Sequence, residues 1–444
     1  MAKSETTVKY LIIGNSAGST GAAEAIREVD RHGTIAIVTD ESYPGYSRPM
    51  ISEYLAGQCS LERMLFRSAN FYEQNNIRTF FGRKAERLDP AEKTVTLEGG
   101  EKITWEKLLL ATGGAPIVPP MEGGDREGVS TFTTLDDAKV IDRYLTGDDR
   151  AVVVGGGLIG VSVTNALVKR GVAVTVVEMK DWILNVILDE AAAAMVAERI
   201  GREGVKLVTG HTVASINGEG KTISSVTLDD GSEIQCELVV IAIGVRPRVD
   251  LAVESGIKVN RGIVVDRQMR TSMKDIYACG DAAEAYDFIY DECRPTPIWP
   301  NAYLGGRVAG MNMAGRATEY PGGTAMNALK YFGLDVVSAG MVNPPDDNYE
   351  TLSNRNNGSY HKVVVKGGVV VGMIFAGNIE KSGIVYNLMK NRTDAGGFKE
   401  ALVAEDFSLT SLPEELWRPQ LAIPATAVIA TSAPQETEEE VAGE

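Results

Sequence analysis

The chain has 444 residues, 44% hydrophobic and 23% charged, which is enough for about three domains and too apolar for wholesale disorder. With 60 acidic against 44 basic residues the net charge is −16, which argues against a nucleic-acid binder and against general attachment to anionic membranes. Four cysteines without a CxxC pair make no disulfide scaffold and no zinc or iron–sulfur site, and the three histidines are scattered, so no metal is expected.

In chain order, residues 9–13 (KYLII) form a short apolar strand that runs into the small-residue turn 14–21 (GNSAGSTG) and a helix. A second strand, TIAIV, ends at Asp40 and Glu41. Residues 151–154 (AVVV) run into the turn 155–160 (GGGLIG), then a helix, then a strand ending at Glu178. Apolar runs without alternation suit buried parallel strands, and the helices between them suit βαβ crossovers. Two such units are an internal repeat of a nucleotide-binding fold. A β-rich excursion follows each, at about 78–110 and 206–244, with the turn signals EGG and DDG. From about Met326 the pattern becomes that of a third, α+β domain ending near Trp417. Residues 418–444 are rich in Pro, Ala, Thr and Glu, and a disordered acidic tail is expected there. The N-terminal apolar run is too short for a signal peptide and no stretch of about 18 apolar residues exists, so a cytoplasmic protein without a membrane span is the expectation.

Gly155, Gly157 and Gly160 complete a G-x-G-x-x-G, with Ile159 inside it. Such glycines permit the tight turn, the approach of backbone N–H groups to a pyrophosphate and close helix–strand packing, and the helix N-terminus favours the anion. Glu178, at the end of the next strand, suits hydrogen bonds from a ribose 2′-hydroxyl and repels a 2′-phosphate, which favours NADH over NADPH despite nearby Lys180. The first turn is less regular. Gly14, Ser16 and Ser19 hold its three positions, with Ala17 between, and Asp40 and Glu41 compete for the ribose.

With these motifs in place, the chain resembles the FAD-dependent pyridine nucleotide-disulfide oxidoreductase superfamily. The turn at Gly14 resembles its FAD fingerprint, and Ala111, Thr112 and Gly113 its ATG exit motif. Gly244, within Ile243-Gly244-Val245-Arg246-Pro247, resembles the matching exit from the NAD domain. Gly280 and Asp281 resemble the second FAD motif, in which the aspartate hydrogen-bonds the ribityl chain, and a helix is expected to start at Ala282-Ala283. The resemblance implies an α/β fold of two Rossmann-like domains. An FAD domain (1–118 and 249–325) is interrupted by an NAD domain (119–248), and a C-terminal α+β interface domain (326–417), of a kind that often makes homodimers, follows.

Disulfide reductases carry a cysteine pair at the flavin, and coenzyme A-disulfide reductases and NADH oxidases or peroxidases carry one. This chain has Ser47 in the corresponding stretch and no cysteine before Cys59. A serine cannot relay two electrons as a thiolate can. The YSRP–S–YLAG pattern is instead similar to the rubredoxin and ferredoxin reductases and the nitrite reductase flavin module, in which Arg48 and Pro49 match positions lining the flavin. Many relatives place a Lys at the position of Glu53 and a Glu at that of Ser162, and both are absent. The resemblance places Trp299 and Ala302, just before a helix, on the pyrimidine side of the flavin. The activity implied is transfer of a hydride from NADH to FAD and of single electrons onward to an iron–sulfur or rubredoxin-type protein (a rubredoxin, a ferredoxin or a metalloenzyme such as carbon monoxide dehydrogenase), with no catalytic residue. The alternatives are an NADH oxidase making hydrogen peroxide and a flavoprotein subunit docked on a larger redox complex.

Overall fold

The computed structural model describes residues 5–145, 149–356 and 358–421. Of the expected tail, residues 418–421 close a helix, Glu414–Leu421, and 422–444 lie outside the described residues.

Two sheets share one plan. In the first, five parallel strands run in the order Ile77–Phe80, Ile35–Val38, Glu5–Ile13, Lys102–Leu110 and Ile276–Ala278. In the second the order is Lys206–Thr209, Ala173–Glu178, Arg150–Val154, Leu238–Ile241 and Val129–Thr131. Leu11, Ile12, Val152 and Val153 are wholly buried, because helices or loops cover both faces of a parallel sheet. The excursions are a hairpin, Ala85–Asp89 with Thr94–Leu97, and a three-stranded meander, Val213–Asn217, Ser225–Leu228 and Glu233–Gln235.

The first sheet is completed only after the chain has built the second. The outgoing and returning segments are zipped together: Gly114–Pro116 pairs antiparallel with Val245–Pro247. Ile117 N–H donates to Gly244 O and Arg248 N–H to Gly113 O, each at 2.9 Å. This two-stranded strap joins the two dinucleotide folds.

The helix Ala17–Val29 lies against Trp299–Met313, which begins at Trp299 rather than after it. Small residues set the contact. A Cβ on Gly306 or Gly310 would collide with the carbonyl oxygen of Gly18 or Ala22, and one on Gly21 would stand 2.5 Å from Tyr303 O. The extra glycines of the first turn therefore serve helix packing.

The helix expected at Ala282-Ala283 does not form. Gly280–Ala282 is a single 3-10 turn, and Ala283–Asp287 is a strand paired with Ile263–Val264 and Glu292–Arg294. Its backbone groups are taken by sheet partners on both sides, which outweighs the helix propensity of the alanines.

The C-terminal sheet is antiparallel, in the order Met326–Tyr331, Leu334–Gly340, Val369–Ala376, Ser359–Lys366 and Glu350–Asn356. One face packs on the helix Ser382–Lys390 through Val337, Val363, Phe375, Val385 and Met389. The other continues the core of the second dinucleotide fold, with Val336, Tyr360 and Ile374 in one cluster with Ile183 and Leu188. Among the described residues no helix is long and apolar enough to cross a membrane.

Candidate functional site

The two glycine turns are built by the same bonds. Gly14 N–H donates to Val38 O and Ala111 N–H to Ile13 O, both at 2.8 Å. Gly155 N–H donates to Val177 O and Ala242 N–H to Val154 O, again at 2.8 Å. Gly14 and Gly155 have φ of +113° and +106°, and a Cβ would collide with Ala111 O in the first turn and stand 2.6 Å from Ala242 O in the second. Only glycine fits at either position.

Each turn opens onto a helix N-terminus prepared for an anion. Ser16 and Gly157 are the N-caps, neither makes a side-chain capping bond, and neither helix has an acid in its first turn. The first-turn N–H groups are thus free for a pyrophosphate. Gly157 has nothing within 4 Å of a built Cβ, so the backbone there faces open space. Ala17 is buried, and Ile159, in the first turn of its helix, is half-buried.

Beside the first turn lies a cavity of about 370 Å³, lined by Gly14, Thr39, Asp40, Arg83, Lys84 and Thr112 among others. Its size and its rim of acid, base and backbone suit a nucleoside. Asp40 is on its wall and accepts from Arg248 Nη1 at 2.9 Å. Glu41 points elsewhere: it pairs with Arg48 and accepts from the Tyr46 hydroxyl. Thr112 donates to Arg248 O at 2.7 Å, and Gly113, at φ +72°, faces open space.

Arg48, with Pro49 in the 3-10 turn Arg48–Met50, is gripped from both folds, by Glu41 and by Thr133 O at 2.9 Å. Leu135 N–H donates to the Tyr46 hydroxyl at 2.9 Å, so the segment 41–48 is latched to the start of the second fold. Asp281 faces Arg48. Burial pushes its carboxyl up while Arg48 opposes that, and it takes no hydrogen bond from any described residue. A half-buried carboxylate beside the first turn and Arg48 is suited to accept hydrogen bonds from ligand hydroxyls. Gly280, at φ +70°, brings the backbone within 3.4 Å of Ala302 Cβ as measured from a built Cβ, and a Cβ on Gly18 would lie 3.3 Å from Ala302 O. Ala302 thus joins the first turn to the second motif. Trp299 is half-buried, its ring edge-on to Phe66 at 5.0 Å.

In the second fold, Glu178 accepts from Gly156 N–H at 2.7 Å and Lys180 N–H at 2.8 Å, which aims a buried carboxylate at the turn. Gly244, at φ +121°, has Ile117 as its nearest neighbour, 3.9 Å from a built Cβ. The positions where a Lys–Glu pair was noted as missing meet a third group. Tyr331 of the C-terminal domain lies beside Ser162 and Glu53, and burial pushes its hydroxyl up. One imidazole–carboxylate group, His211 with Asp229 and Asp230, brings its ligand atoms within 4.8 Å, partly at the surface.

The strap, the Tyr46–Leu135 latch and Tyr331 were missed from sequence, since each joins residues about 90 or more apart in the chain. The paired exit motifs were the one available signal, because a repeated exit implies two segments leaving the same place.

Residues 8–306 match the family described as pyridine nucleotide-disulphide oxidoreductase, and residues 326–393 match the rubredoxin NAD+ reductase C-terminal domain. The chain is 30% identical over 415 residues to the NADH-dependent phenylglyoxylate dehydrogenase subunit epsilon of Aromatoleum evansii, covering 92% of this chain and 98% of that one. It is 32% identical over 312 residues to a rubredoxin-NAD(+) reductase of Pseudomonas putida, covering 70% and 81%. A solved NAD-dependent persulfide reductase from A. fulgidus superposes with a TM-score of 0.82 at 27% identity, covering 90% and 80%. The two cradles fit the dinucleotide cofactors of such enzymes, FAD and NADH, and the chain belongs to the pyridine nucleotide-disulphide oxidoreductase family.

Proposed function

We propose that the protein takes electrons from NADH into FAD and passes them to a separate iron–sulfur or rubredoxin-type protein. One observation carries the choice of acceptor: the flavin-side segment 43–53 holds no cysteine, and the thiol nearest the cradle, Cys279 beneath Gly18, is wholly buried and pushed up to about 12 by burial. No thiolate stands ready for disulfide relay. When bound, FAD accepts a hydride and releases electrons singly. The protein supplies alignment and charge.

We assign Asp40 to the FAD ribose, because it lines the nucleoside-sized cavity, and Arg48, Asp281 and Trp299 to the flavin half. Glu178 is assigned to the NADH ribose. The domain limits proposed are those of the sequence, with the strap as the boundary near 118 and 248. The cytoplasm is the proposed compartment, in keeping with four free cysteines.

Holo-protein mixed with NADH and a panel of rubredoxins and ferredoxins tests this. NADH should bleach the flavin, and at least one carrier should be reduced much faster than oxygen. Steady peroxide formation at a rate matching every carrier would overturn it in favour of an oxidase. The match over 98% of a relative named as a dehydrogenase subunit favours a second reading, docking onto a larger redox complex. In that case ferricyanide is reduced, free carriers are not, and the chain copurifies with a larger oxidoreductase.

A further inference from the structure

Glu178 is seated by the loop that follows it. Leu184 has φ +56°, a conformation that a leucine holds only where its surroundings over-determine it. Its N–H donates to Gly156 O at 2.8 Å. Ile183 closes beneath the same glycine, with Cγ2 2.6 Å from a built Gly156 Cβ. Asn185 Nδ2 donates to Trp182 O at 3.0 Å and lies 3.5 Å from Glu178 Oε1. The loop therefore touches both features that face the nucleotide, the second residue of the glycine turn and the carboxylate.

That loop is held from the C-terminal domain. Asn343 follows buried Val342 in the connection after Leu334–Gly340. Its Nδ2 donates to Asn185 O and to Leu188 O, each at 3.1 Å, which uses both amide hydrogens. One residue further, Asp189 accepts from Tyr360 at 2.7 Å and Lys362 at 2.8 Å. A domain outside both dinucleotide folds thus fixes the two ends of the turn 185–188.

We propose that Asn343 is a positioning residue for NADH: its forked amide pins the loop that holds Glu178 and Gly156 against the adenosine ribose. The proposal rests on the assignment of Glu178 to that ribose.

The test is steady-state ferricyanide reduction by FAD-loaded holo-protein, with calorimetric titration of NAD+ alongside. Asn343→Ala should raise the KM for NADH and the Kd for NAD+ by about three- to tenfold, the range set by one or two neutral hydrogen bonds, with kcat, FAD content and visible spectrum unchanged. Asn343→Asp, equal in size but unable to donate, should do the same. Asn354→Ala removes a comparable bond in the same domain, to Val403 O at 3.2 Å, and should leave KM alone. Unchanged KM in both Asn343 variants, with KM raised by Glu178→Ala, overturns the proposal while sparing the ribose assignment. Unchanged KM in Glu178→Ala overturns both. A fall in FAD content without a KM change would make Asn343 merely structural and would also overturn it.

Discussion

A Cβ on Gly160 would collide with the carbonyl oxygen of Gly155, whereas one on Gly157 would meet nothing within 4 Å. The two glycines of one motif therefore stand in different surroundings, one closed off by the fold and one facing open space. Gly160→Ala should cost about 1–3 kcal/mol of stability, as overpacking does, and lower the thermal midpoint. Gly157→Ala should leave the midpoint unchanged and raise the KM for NADH about tenfold or more, because its methyl occupies the ground where a pyrophosphate meets the helix N-terminus. An unchanged KM in a stable Gly157→Ala variant would remove the pyrophosphate from this turn.

Asp281 offers a trade between stability and cofactor retention. Its carboxyl is raised above the ordinary 3.8 by burial, against the pull of Arg48. A raised carboxyl contributes stability below its ordinary pKa and loses it as pH climbs through the raised value. FAD-free Asp281→Asn should therefore match the wild type near pH 4 and melt at or above it at pH 7. The same variant should retain FAD less well after gel filtration, since an amide replaces the waiting acceptor. Thermal melts across pH on stripped protein, with flavin absorbance of the loaded protein, check both halves.

Much of this site was legible in the chain because glycine turns, exit motifs and strand-end acids are local patterns. Gly14 and Gly155 reveal themselves by the strand before and the helix after. The choice between Asp40 and Glu41 was not legible, since it depends on where Arg48, Tyr46 and Arg248 stand in space. The strand Ala283–Asp287 defeated a helix reading for the same reason: two distant segments supply its hydrogen bonds. The need for Gly306 and Gly310 is set by the facing helix, at Gly18 O and Ala22 O, which no local pattern reveals.

The ion pair between Asp189 and Lys362 should dominate the docking of the C-terminal domain on the second fold. Both side chains are largely buried, at 15% and 8% exposure. Burial pushes the Asp189 carboxyl up, but hydrogen bonds from Lys362, Tyr360 and Ala192 N–H outweigh it and hold it below the usual 3.8. A lowered carboxyl contributes stability above its unfolded pKa and loses it as pH falls through the folded one. Lys362→Met should cost about 3 kcal/mol at pH 7 by leaving the carboxylate without its cation. The difference from wild type should narrow below about pH 4, where the carboxyl of the unfolded chain is protonated. A gap that is constant from pH 3 to pH 7 would show that lost packing, not charge, sets the cost.

Electron flow without sulfur predicts indifference to thiol reagents. Burial pushes the thiols of Cys236 and Cys279 up to about 12 and raises Cys59 and Cys293 as well. The thiolate is the reactive form, so alkylation at pH 8 should be slow, and the two buried cysteines, both with 0% exposure, should be spared. Iodoacetamide-treated holo-protein should keep its NADH-dependent reduction of ferricyanide and of a rubredoxin within about twofold, and Cys59→Ser with Cys293→Ser should do likewise. The outcome that matters is a split between the two acceptors. Loss of rubredoxin reduction with ferricyanide reduction intact would mean that a thiol lies on the exit route, and the likeness to a persulfide reductase would then extend from fold to chemistry.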